Sequence, residues 1–339
     1  MYKLKHLSKT TKNAILFVFL GVLVCASFLF ALHAWENRQY RLNIGEESPY
    51  RDAGQAILYL DGKTYRERKH LETILLIGLD KFDSGSQDEE DTYSNHQQSD
   101  FLMLMVIDRD AGRYVPLHVN RDSMAPVRVL GAGGRTVGTV TEQLALSHTY
   151  GSGGTDSCRN TVKAVSDLLY GIHIDHYVSF TMDAVVELND LVGGATVKIL
   201  DDFSAVDPSL VQGETICLNG EQALHFVRAR GEMEDSSNLA RMERQRQYLY
   251  ALQKKTLRCL EKDEDFTARV VAKLSEHLVS DCSLNQLANL VTGAQEYEMA
   301  DFEDLPGEAI KGKEFMEFYL DERATKELVT RLFFEPYEE

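Results

Sequence analysis

Between residues 70 and 120 the chain contains several short apolar runs, each about as long as a β-strand. Residues 72–80 (ETILLIGLD) and 101–107 (FLMLMVI) are continuous apolar runs, and residues 114–120 (YVPLHVN) follow after a polar turn. These runs predict buried strands, and the short turn predicts that the second and third form a hairpin. Pro116 favours a bulge or an edge position in that hairpin.

Further along the chain, segments with apolar residues at helical spacing alternate with strand-like segments. The predicted helices are 141–154, 157–171, 182–194, 219–230 and 239–257, and the predicted strands are 172–180 and 195–200. Strands that alternate with helices predict an α/β fold in which helices cover both faces of a sheet. Helices and strands are expected to run on to the C-terminus. The last 80 or so residues are acidic and are expected to be helical, and we assign them only to packing.

An uncharged N-terminal segment predicts a membrane anchor. Residues 14–35 contain no Lys, Arg, Asp or Glu over 22 residues, and a helix needs about 20 to span a bilayer. A cleaved signal peptide is the alternative, although its apolar core is usually shorter. Lysines within residues 1–13 place this tail in the cytoplasm. We therefore expect a single-pass protein with a stalk or peripheral segment at 36–70 and an extracellular domain at 71–339.

Composition narrows the class of protein. The chain has 339 residues and a formal net charge of −17, which argues against nucleic-acid binding. A hydrophobic content of 44% excludes wholesale disorder. Neither a GxxxxGK[ST] loop nor a GxSxG motif occurs, so a P-loop nucleotidase and an α/β-hydrolase are disfavoured. The cysteines outside the anchor are either paired or free thiols, and the sequence leaves this open: Cys158, Cys217, Cys259 and Cys282.

Two aspartates mark the ends of the first two predicted strands. Asp80 closes the run ILLIGLD, and Asp100 opens the run SDFLMLMVID. Carboxylates at the rim of a sheet lie where open α/β folds bind ligands, and two that converge can hold Mg²⁺. The alternative is that each aspartate caps a turn.

A second candidate is the triplet Asn120-Arg121-Asp122 after the third predicted strand. In an antiparallel hairpin the start of one strand lies beside the end of the next. Asp100 and Arg121 are therefore expected at the same rim. A purely structural ion pair would give the same pattern.

Arginines form the third candidate. Five of them fall within 19 residues: Arg228, Arg230, Arg241, Arg244 and Arg246. Arg241 and Gln245 are four positions apart and project from one helix face. Because guanidinium groups bind phosphate oxygens in a bidentate manner, Arg228, Arg230 and Arg241 predict an anion site. Arg244 and Arg246 are expected on a solvated helix face with acidic neighbours. A two-carboxylate metal site that faces arginines suits a diphosphate.

These residues resemble those of the LytR-CpsA-Psr family. The resemblance runs from about residue 72 to about residue 255 and rests on motifs in a fixed order: ILLIGLD, SDFLMLMVID, VNRD, HTYGSGG, IDHYVSF, LVGGATVKI, LNGEQALHFVRAR and NLARMERQRQ. It implies an α/β/α sandwich with a central mixed sheet and a hydrophobic pocket for a polyprenyl chain. It also implies an extracytoplasmic phosphotransferase that moves a glycopolymer (teichoic acid, capsule or another polysaccharide) from undecaprenyl diphosphate to peptidoglycan.

The resemblance also implies roles for individual residues. Asp80 and Asp100 would bind Mg²⁺ or Mn²⁺. The diphosphate would be bound by Arg121, Arg228, Arg230 and Arg241 with support from Gln245. Asp122 would orient its neighbouring arginine or assist proton removal from the acceptor. Two positions depart from the family pattern: Gln98 stands where an arginine is usual, and Asn238 stands where an aspartate is frequent.

The same residues are compatible with two other functions, and a third is disfavoured. A diphosphatase would use the same metal and arginines with water as the acceptor. A binding module that holds lipid-linked polymers would keep them without turnover. A membrane-bound transcriptional attenuator is disfavoured, because about 13 cytoplasmic residues are too few for a DNA-binding domain.

Overall fold

The computed structural model describes residues 56–80, 95–231 and 233–337. The strands of these residues, in chain order, are β1 (Ile57–Leu60), β2 (Lys63–Glu67), β3 (Leu71–Leu79), β4 (Ser99–Asp108), β5 (Arg113–His118), β6 (Met124–Gly131), β7 (Arg135–Gln143), β8 (His176–Thr181), β9 (Thr196–Lys198), β10 (Thr215–Cys217), β11 (Leu278–Ser280), β12 (Glu298–Met299), β13 (Glu303–Asp304), β14 (Gly307–Lys311), β15 (Met316–Leu320) and β16 (Phe334–Pro336). The α-helices are α1 (Thr155–Leu168), α2 (Met182–Leu191), α3 (Gly220–Arg228), α4 (Asn238–Lys262), α5 (Phe266–Leu274), α6 (Leu284–Glu296) and α7 (Glu322–Phe333).

Seven of the described strands form a central mixed sheet. Their order is β11-β8-β3-β4-β5, and β12 and β13 lie one after the other along the outer edge of β5. β4 is antiparallel to β3 and β5, whereas β8 is parallel to β3. The predicted hairpin of β4 and β5 is confirmed, as is an α/β fold built on a mixed sheet.

Pro116 lies in the middle of β5 and pairs with Met105 without a bulge, so of the two predicted alternatives only the edge position applies. On the other side of β5, β12 ends opposite Tyr114 and β13 begins opposite Leu117. Proline has no backbone N–H to donate. It therefore lies where the outer partner strand is interrupted and no ladder bond is lost.

β4 is apolar along its whole length because both of its faces are covered. Successive side chains of a strand point to opposite faces. Leu102, Leu104 and Val106 join a core with α1 and α7. The alternate residues Phe101 and Met103 point to the other face and belong to neither buried cluster of the described residues.

A second hydrophobic core lies within the helical layer on that other face. It includes side chains of α3, α4 and α5, among them Phe226, Tyr248 and Val270. Within the sheet, Gly78 of β3 lies between Phe101 of β4 and Phe180 of β8, and a Cβ atom there would lie 2.8 Å from Cβ of Phe101. The missing side chain allows the rings of Phe101 and Phe180 to meet with their centroids 5.9 Å apart.

The remaining strands are peripheral. β1 and β2 form an antiparallel sheet with β16, and Leu58 of β1 packs into the core on the α1–α7 face. β1 and β2 fall in the segment 36–70 predicted as a stalk or as peripheral structure. The pairs β6–β7, β9–β10 and β14–β15 are separate hairpins.

Several predicted elements differ from the structure. The predicted helix 141–154 is the end of β7 followed by a 3₁₀ helix at Leu144–His148. The predicted strand 195–200 shortens to β9 and lies outside the central sheet. The C-terminal residues contain α5–α7 together with six short strands, so helices and strands both run to the end of the described chain, as predicted.

Two further expectations concern the N-terminal membrane anchor and the cysteines. The predicted anchor at 14–35 lies outside the described residues, and no helix within the described part of the chain is long and apolar enough to cross a membrane. The four described cysteines are free thiols, with Cys158 buried and Cys217 exposed.

Candidate functional site

The predicted polar residues lie together at one rim of the central sheet, where the strands begin or end. Asp80 directly follows β3, and Asp100 is the second residue of β4. Arg121 and Asp122 follow shortly after the end of β5. Because β4 is antiparallel to both of its neighbours, these chain positions meet at one rim. The structure thus brings Asp100 and Arg121 together, as the strand pattern predicts.

Arg121 is at the centre of this rim, and only 10% of its side chain is exposed. Its Nη1 donates a hydrogen bond to Oδ1 of Asp100, and its Nη2 donates to Oε1 of Gln98 at 2.6 Å. Its Nε lies 3.4 Å from Oδ1 of Asp122. The guanidinium is therefore held in one orientation from three sides.

Asp122 joins two of the arginines, and only 4% of its side chain is exposed. Besides its contact with Arg121, its Oδ2 accepts a hydrogen bond from Arg230 at 3.1 Å. Its Oδ1 also accepts from Nε2 of Gln143 at 3.1 Å. Gln143 ends β7, and the sequence pattern did not point to it because a polar residue at a strand end carries no distinctive signal.

Arg241 enters the rim from the first turn of α4, whose N-terminus is capped by Ser237. Its Nη2 donates to the backbone carbonyl of Asp100 at 3.2 Å, and its Nε donates to Oδ1 of Asn238 at 3.1 Å. Asn238 in turn donates from Nδ2 to Oδ1 of Asn120 at 2.7 Å. The helix start is thereby joined to the loop that carries Arg121.

The two departures from the family pattern have a shared structural consequence. The side-chain amide oxygen of Gln98 accepts from Arg121, and that of Asn238 accepts from Arg241. Each amide offers a hydrogen-bond acceptor to a guanidinium group and carries no charge. Relative to the family pattern, one positive and one negative charge are absent, so the two departures together leave the net charge unchanged. The four predicted arginines face three carboxylates, which gives the rim an excess of positive charge.

Arg228 forms the outer part of the rim. It is the last residue of α3, and its Nη2 lies 2.9 Å from Oδ2 of Asp80. Both side chains are more than half exposed, at 55% and 52%. Exposed ion pairs of this kind contribute little to stability. Arg228 and Asp80 can therefore give up this ion pair and contact a ligand with little loss of stability.

Burial lowers the pKa of Arg121 and of Arg241 to about 10 in each case, with desolvation as the largest cause. Positive charge on neighbouring arginines lowers the pKa further: Arg241 acts on Arg121, and Arg230 acts on Arg241. Both guanidinium groups stay protonated near neutral pH. An anion bound among them would offset this repulsion.

Arg244 and Arg246 take no part in the rim, but they do not form a solvated face either. Arg244 is buried, donates to the backbone carbonyl of Ala229 and pairs with Asp201 at 3.0 Å. Arg246 pairs with Asp304 of β13. Arg246 also lies 3.6 Å from Glu243, one of its expected acidic neighbours, and its side chain is 25% exposed. Both arginines fasten α4 to its neighbours, and the predicted surface position is wrong for Arg244.

Gln245 lies one turn beyond Arg241 and is buried. Its Nε2 donates to the backbone carbonyl of Val227 at 3.2 Å, and its side chain also bonds to His118. These described partners do not include an arginine, so its support of the rim is indirect. His118, which sequence reasoning did not single out, is buried and packs against Phe101 with ring centroids 5.3 Å apart.

Behind the rim, a cavity of about 600 Å³ lies between the sheet and the helical layer. Its entrance is lined by Asp80, Asp100, Arg121, Arg228, Arg230, Arg241 and Gln245. Its interior is largely apolar, and β4 contributes Phe101, Met103 and Met105. The cavity therefore joins a cationic mouth to a hydrophobic interior.

The C-terminal part of the chain supplies much of this interior, so its assignment to packing alone is wrong. The contributing side chains from α5 onward are Phe266, Val270, Val271, Leu274, Leu278, Leu287, Leu290, Val291, Met299 and Phe302. A polar pair also lies inside the cavity, where Gln253 donates to the Tyr114 hydroxyl at 3.0 Å. Neither feature has a sequence signal, because both depend on which elements meet in space.

The carboxylates fit a small divalent cation in their chemistry. Asp80 and Asp100 both line the mouth of the cavity and offer oxygen ligands. Mg²⁺ is usually held by one or two carboxylates together with substrate phosphates and waters. Among the described residues, a group of three metal-ligand side chains occurs elsewhere, at His176, Asp281 and Cys282.

The sequence profile of the LytR_cpsA_psr family matches residues 43–333, and the chain belongs to this family. A teichoic acid transferase, TagU of Halalkalibacterium halodurans, is 29% identical over 184 residues, which cover 54% of this chain and 53% of TagU. The chain spans about half the length of this and the next curated relatives that it matches.

Solved structures share the fold. The crystal structure of protein gbs0355 from Streptococcus agalactiae has a TM-score of 0.61 at 22% identity and covers 77% of this chain and 87% of gbs0355. A structure of TagT bound to LI-WTA has a TM-score of 0.58 at 21% identity, with 78% of this chain and 90% of TagT covered. The arrangement of a mixed sheet between helical layers is therefore common to these proteins.

Proposed function

We propose that this chain is an extracytoplasmic phosphotransferase, anchored by residues 14–35, that moves a glycopolymer from an undecaprenyl-diphosphate carrier to peptidoglycan. One observation carries the proposal. Four arginines surround the mouth of an apolar cavity of about 600 Å³. The fitting ligand has an anionic head and a hydrocarbon tail, which is the chemistry of a polyprenyl diphosphate.

The names of related proteins support this substrate class. TagU of Halalkalibacterium halodurans is described as a polyisoprenyl-teichoic acid–peptidoglycan teichoic acid transferase. Its name specifies a polyisoprenyl-linked donor and a peptidoglycan acceptor. A head group held at the arginines with its chain in the cavity would present the sugar-linked phosphorus atom at the rim for attack by an acceptor hydroxyl. The bond from that phosphorus to the polyprenyl monophosphate would break, and the hydroxyl proton would pass to water.

The arginines would act mainly through electrostatics. Negative charge spreads over phosphoryl oxygens as the bond to the leaving group weakens. Arg121 and Arg241 are fixed by their hydrogen bonds before any ligand arrives, so they need little reorganisation to stabilise that charge. Arg228 and Arg230 are more exposed and would complete the binding of the diphosphate from the helical side.

Asp80 and Asp100 would hold Mg²⁺ or Mn²⁺, which supplies further charge neutralisation to the diphosphate oxygens. Binding would require Asp80 to exchange its contact with Arg228 and Asp100 to share its oxygens with Arg121. Asp122 has both carboxylate oxygens engaged with Arg121, Arg230 and Gln143. We therefore favour an orienting role for Asp122 over proton removal from the acceptor.

Turnover by the full-length chain in detergent tests the proposal. The assay combines a polyprenyl-diphosphate-linked oligosaccharide, peptidoglycan fragments and Mg²⁺, and mass spectrometry follows both products. Loss of one preorganised donor typically lowers kcat by about 10²–10³-fold. We expect at least such a loss for Arg121→Ala and for Asp100→Ala. Arg109→Ala is a matched control, because Arg109 pairs with Glu72 near the opposite end of β4.

Each alternative function predicts a different result. Sugar phosphate released without attachment to peptidoglycan would identify a diphosphatase. Tight lipid binding without turnover, unchanged in Arg121→Ala and Asp100→Ala, would contradict the assignment of the site and leave a binding module.

A further inference from the structure

A second concave site lies at the far end of α4, about 360 Å³ in volume. Four cationic side chains line it: Lys255, Arg258, Lys262 and Arg269. Its carboxylate is Asp263, the residue that directly follows α4. This basic pocket stands out because the whole chain carries a formal net charge of −17.

Three of the cations project from one face of α4. Lys255, Arg258 and Lys262 are spaced three and four positions apart, and residues at such spacing lie above one another on a helix. Cations in the last turn of a helix also favour its dipole, but that effect fades within a turn. Lys255 lies seven positions before the final residue of the helix, so the dipole does not account for it.

The positive charge of the basic pocket is largely uncompensated. Asp263 is engaged by Arg269, with Oδ2 and Nη2 2.5 Å apart. Within the described residues, neither Arg258 nor Lys262 pairs with a carboxylate. Lys255 points its Nζ to the carbonyl of Gly193 at 3.5 Å, which is a neutral acceptor. Three cations therefore converge on one hollow without anionic partners of their own.

The basic pocket is separate from the rim of the candidate active site. The two hollows share one lining residue, Phe266, which is buried. Arg269 lies against the ring of Phe266, with its Cζ 5.8 Å from the centroid. An anion in the basic pocket would thus lie behind the apolar wall of the cavity and would not touch Arg121 or Arg241.

We propose that the pocket formed by Lys255, Arg258, Lys262 and Arg269 binds a phosphate group of an anionic ligand. Lysine and arginine side chains bind phosphate through charge-assisted hydrogen bonds. A local positive potential in an acidic protein also concentrates anions at that point. The phosphate would come from a soluble polymer of phosphodiesters or from the head group of an anionic phospholipid, and the experiment separates these sources. This inference does not depend on the proposed transferase activity.

Binding by the full-length chain in detergent tests the inference with three probes. They are inorganic phosphate, a short poly(glycerol phosphate), and vesicles of phosphatidylglycerol compared with vesicles of phosphatidylcholine. The main variant combines Lys255→Gln, Arg258→Gln and Lys262→Gln, and Arg258→Gln alone is the milder one. Lys254→Gln is the control, because Lys254 is an exposed neighbour on the same helix but is absent from the pocket lining.

We expect the triple variant to lose about tenfold or more in affinity for a phosphate probe, because each substitution removes a charge-assisted hydrogen bond. Lys254→Gln should keep that affinity. Loss with poly(glycerol phosphate) would indicate a polymer ligand, and loss confined to phosphatidylglycerol vesicles would indicate a lipid head group. Equal affinity in the wild type and the triple variant, or an equal loss in Lys254→Gln, would overturn the inference.

Discussion

The two faces of β4 carry equally apolar side chains but have different surroundings. Leu102, Leu104 and Val106 are buried in a filled core against α1 and α7. Phe101, Met103 and Met105 line a cavity of about 600 Å³ under the helical layer. One strand thus stabilises the fold with one face and forms a wall of the cavity with the other.

The difference arises from what covers each face. On the filled face, α1 and α7 place side chains such as Val165 and Val329 directly in the core. On the other face, the helical layer packs largely on itself, as the separate cluster around Phe226 and Tyr248 shows. A layer with its own core can stand away from the sheet and leave room for a ligand. Residues on the two faces should therefore respond to mutation in opposite ways.

The largest expected difference concerns stability. Leu104→Ala removes a fully buried side chain from the filled core and should lower the free energy of unfolding by about 3 kcal/mol. Met105→Ala enlarges a cavity that already exists and should cost about 1 kcal/mol or less, because fewer packed contacts are lost. Chemical denaturation followed by circular dichroism measures both variants.

Function should show the reverse order for the same pair. Met105→Ala should weaken polyprenyl-lipid binding more than Leu104→Ala does at a temperature where both variants are folded. Similar losses of stability for the two substitutions would contradict the distinction between a filled face and a cavity face.

A smaller effect is expected from filling the cavity. Leu290 of α6 lines it, so Leu290→Trp should lower the affinity for a polyprenyl lipid by about tenfold, or about 1.4 kcal/mol. Leu284→Trp on the same helix is the control, since Leu284 is exposed. Fluorescence or calorimetric titration gives both affinities. Unchanged binding in Leu290→Trp would show that the chain of the lipid lies elsewhere.

The smallest expected effect is on the pH dependence of stability. It comes from two buried histidines, one near each face of the central sheet. Desolvation lowers the pKa of His118, near the cavity face, to about 3, and that of His148, bonded near α1, to about 4. Below about pH 6.5 these histidines bind protons in the unfolded chain but not in the native one. Stability should therefore fall as the pH falls, by about 0.7 kcal/mol per histidine between about pH 7 and pH 6.

Substitution identifies which histidine contributes to this slope. Denaturation curves at both pH values should show a shallower dependence in His118→Gln than in the wild type, whatever the change in absolute stability. His277→Gln is the control, because His277 is only partly buried. An unchanged slope in His118→Gln would mean that the native histidine takes up a proton in this range.

The local parts of the fold were predictable. Strand-length apolar runs identified β3, β4 and β5, and the antiparallel rule placed Asp100 beside Arg121. The arginines of α3 and α4 were recognised from their clustering, and the structure places Arg228, Arg230 and Arg241 at the mouth of the cavity. These features depend on short stretches of chain and on one strand pairing.

Residues whose roles depend on distant partners were not predictable. Gln143 reaches Asp122 across 21 positions, and Arg246 pairs with Asp304 across 58. For the C-terminal segment the sequence predicted only a packing role, whereas Leu287 and Leu290 line the cavity. A polar side chain in a strand or helix looks the same in sequence whether its partner is water or a buried carboxylate.

The sequence by itself determined which faces of strands and helices are apolar, where the strands end, and which charged residues gather near those ends. It also determined the net positive charge of the rim, which comes from four arginines and three aspartates, while Gln98 and Asn238 contribute no charge. Only the tertiary structure decided that one face of β4 is filled and the other is open. The reason is physical: burial of an apolar side chain requires a cover, but the distance to that cover is set by how the covering elements pack against one another.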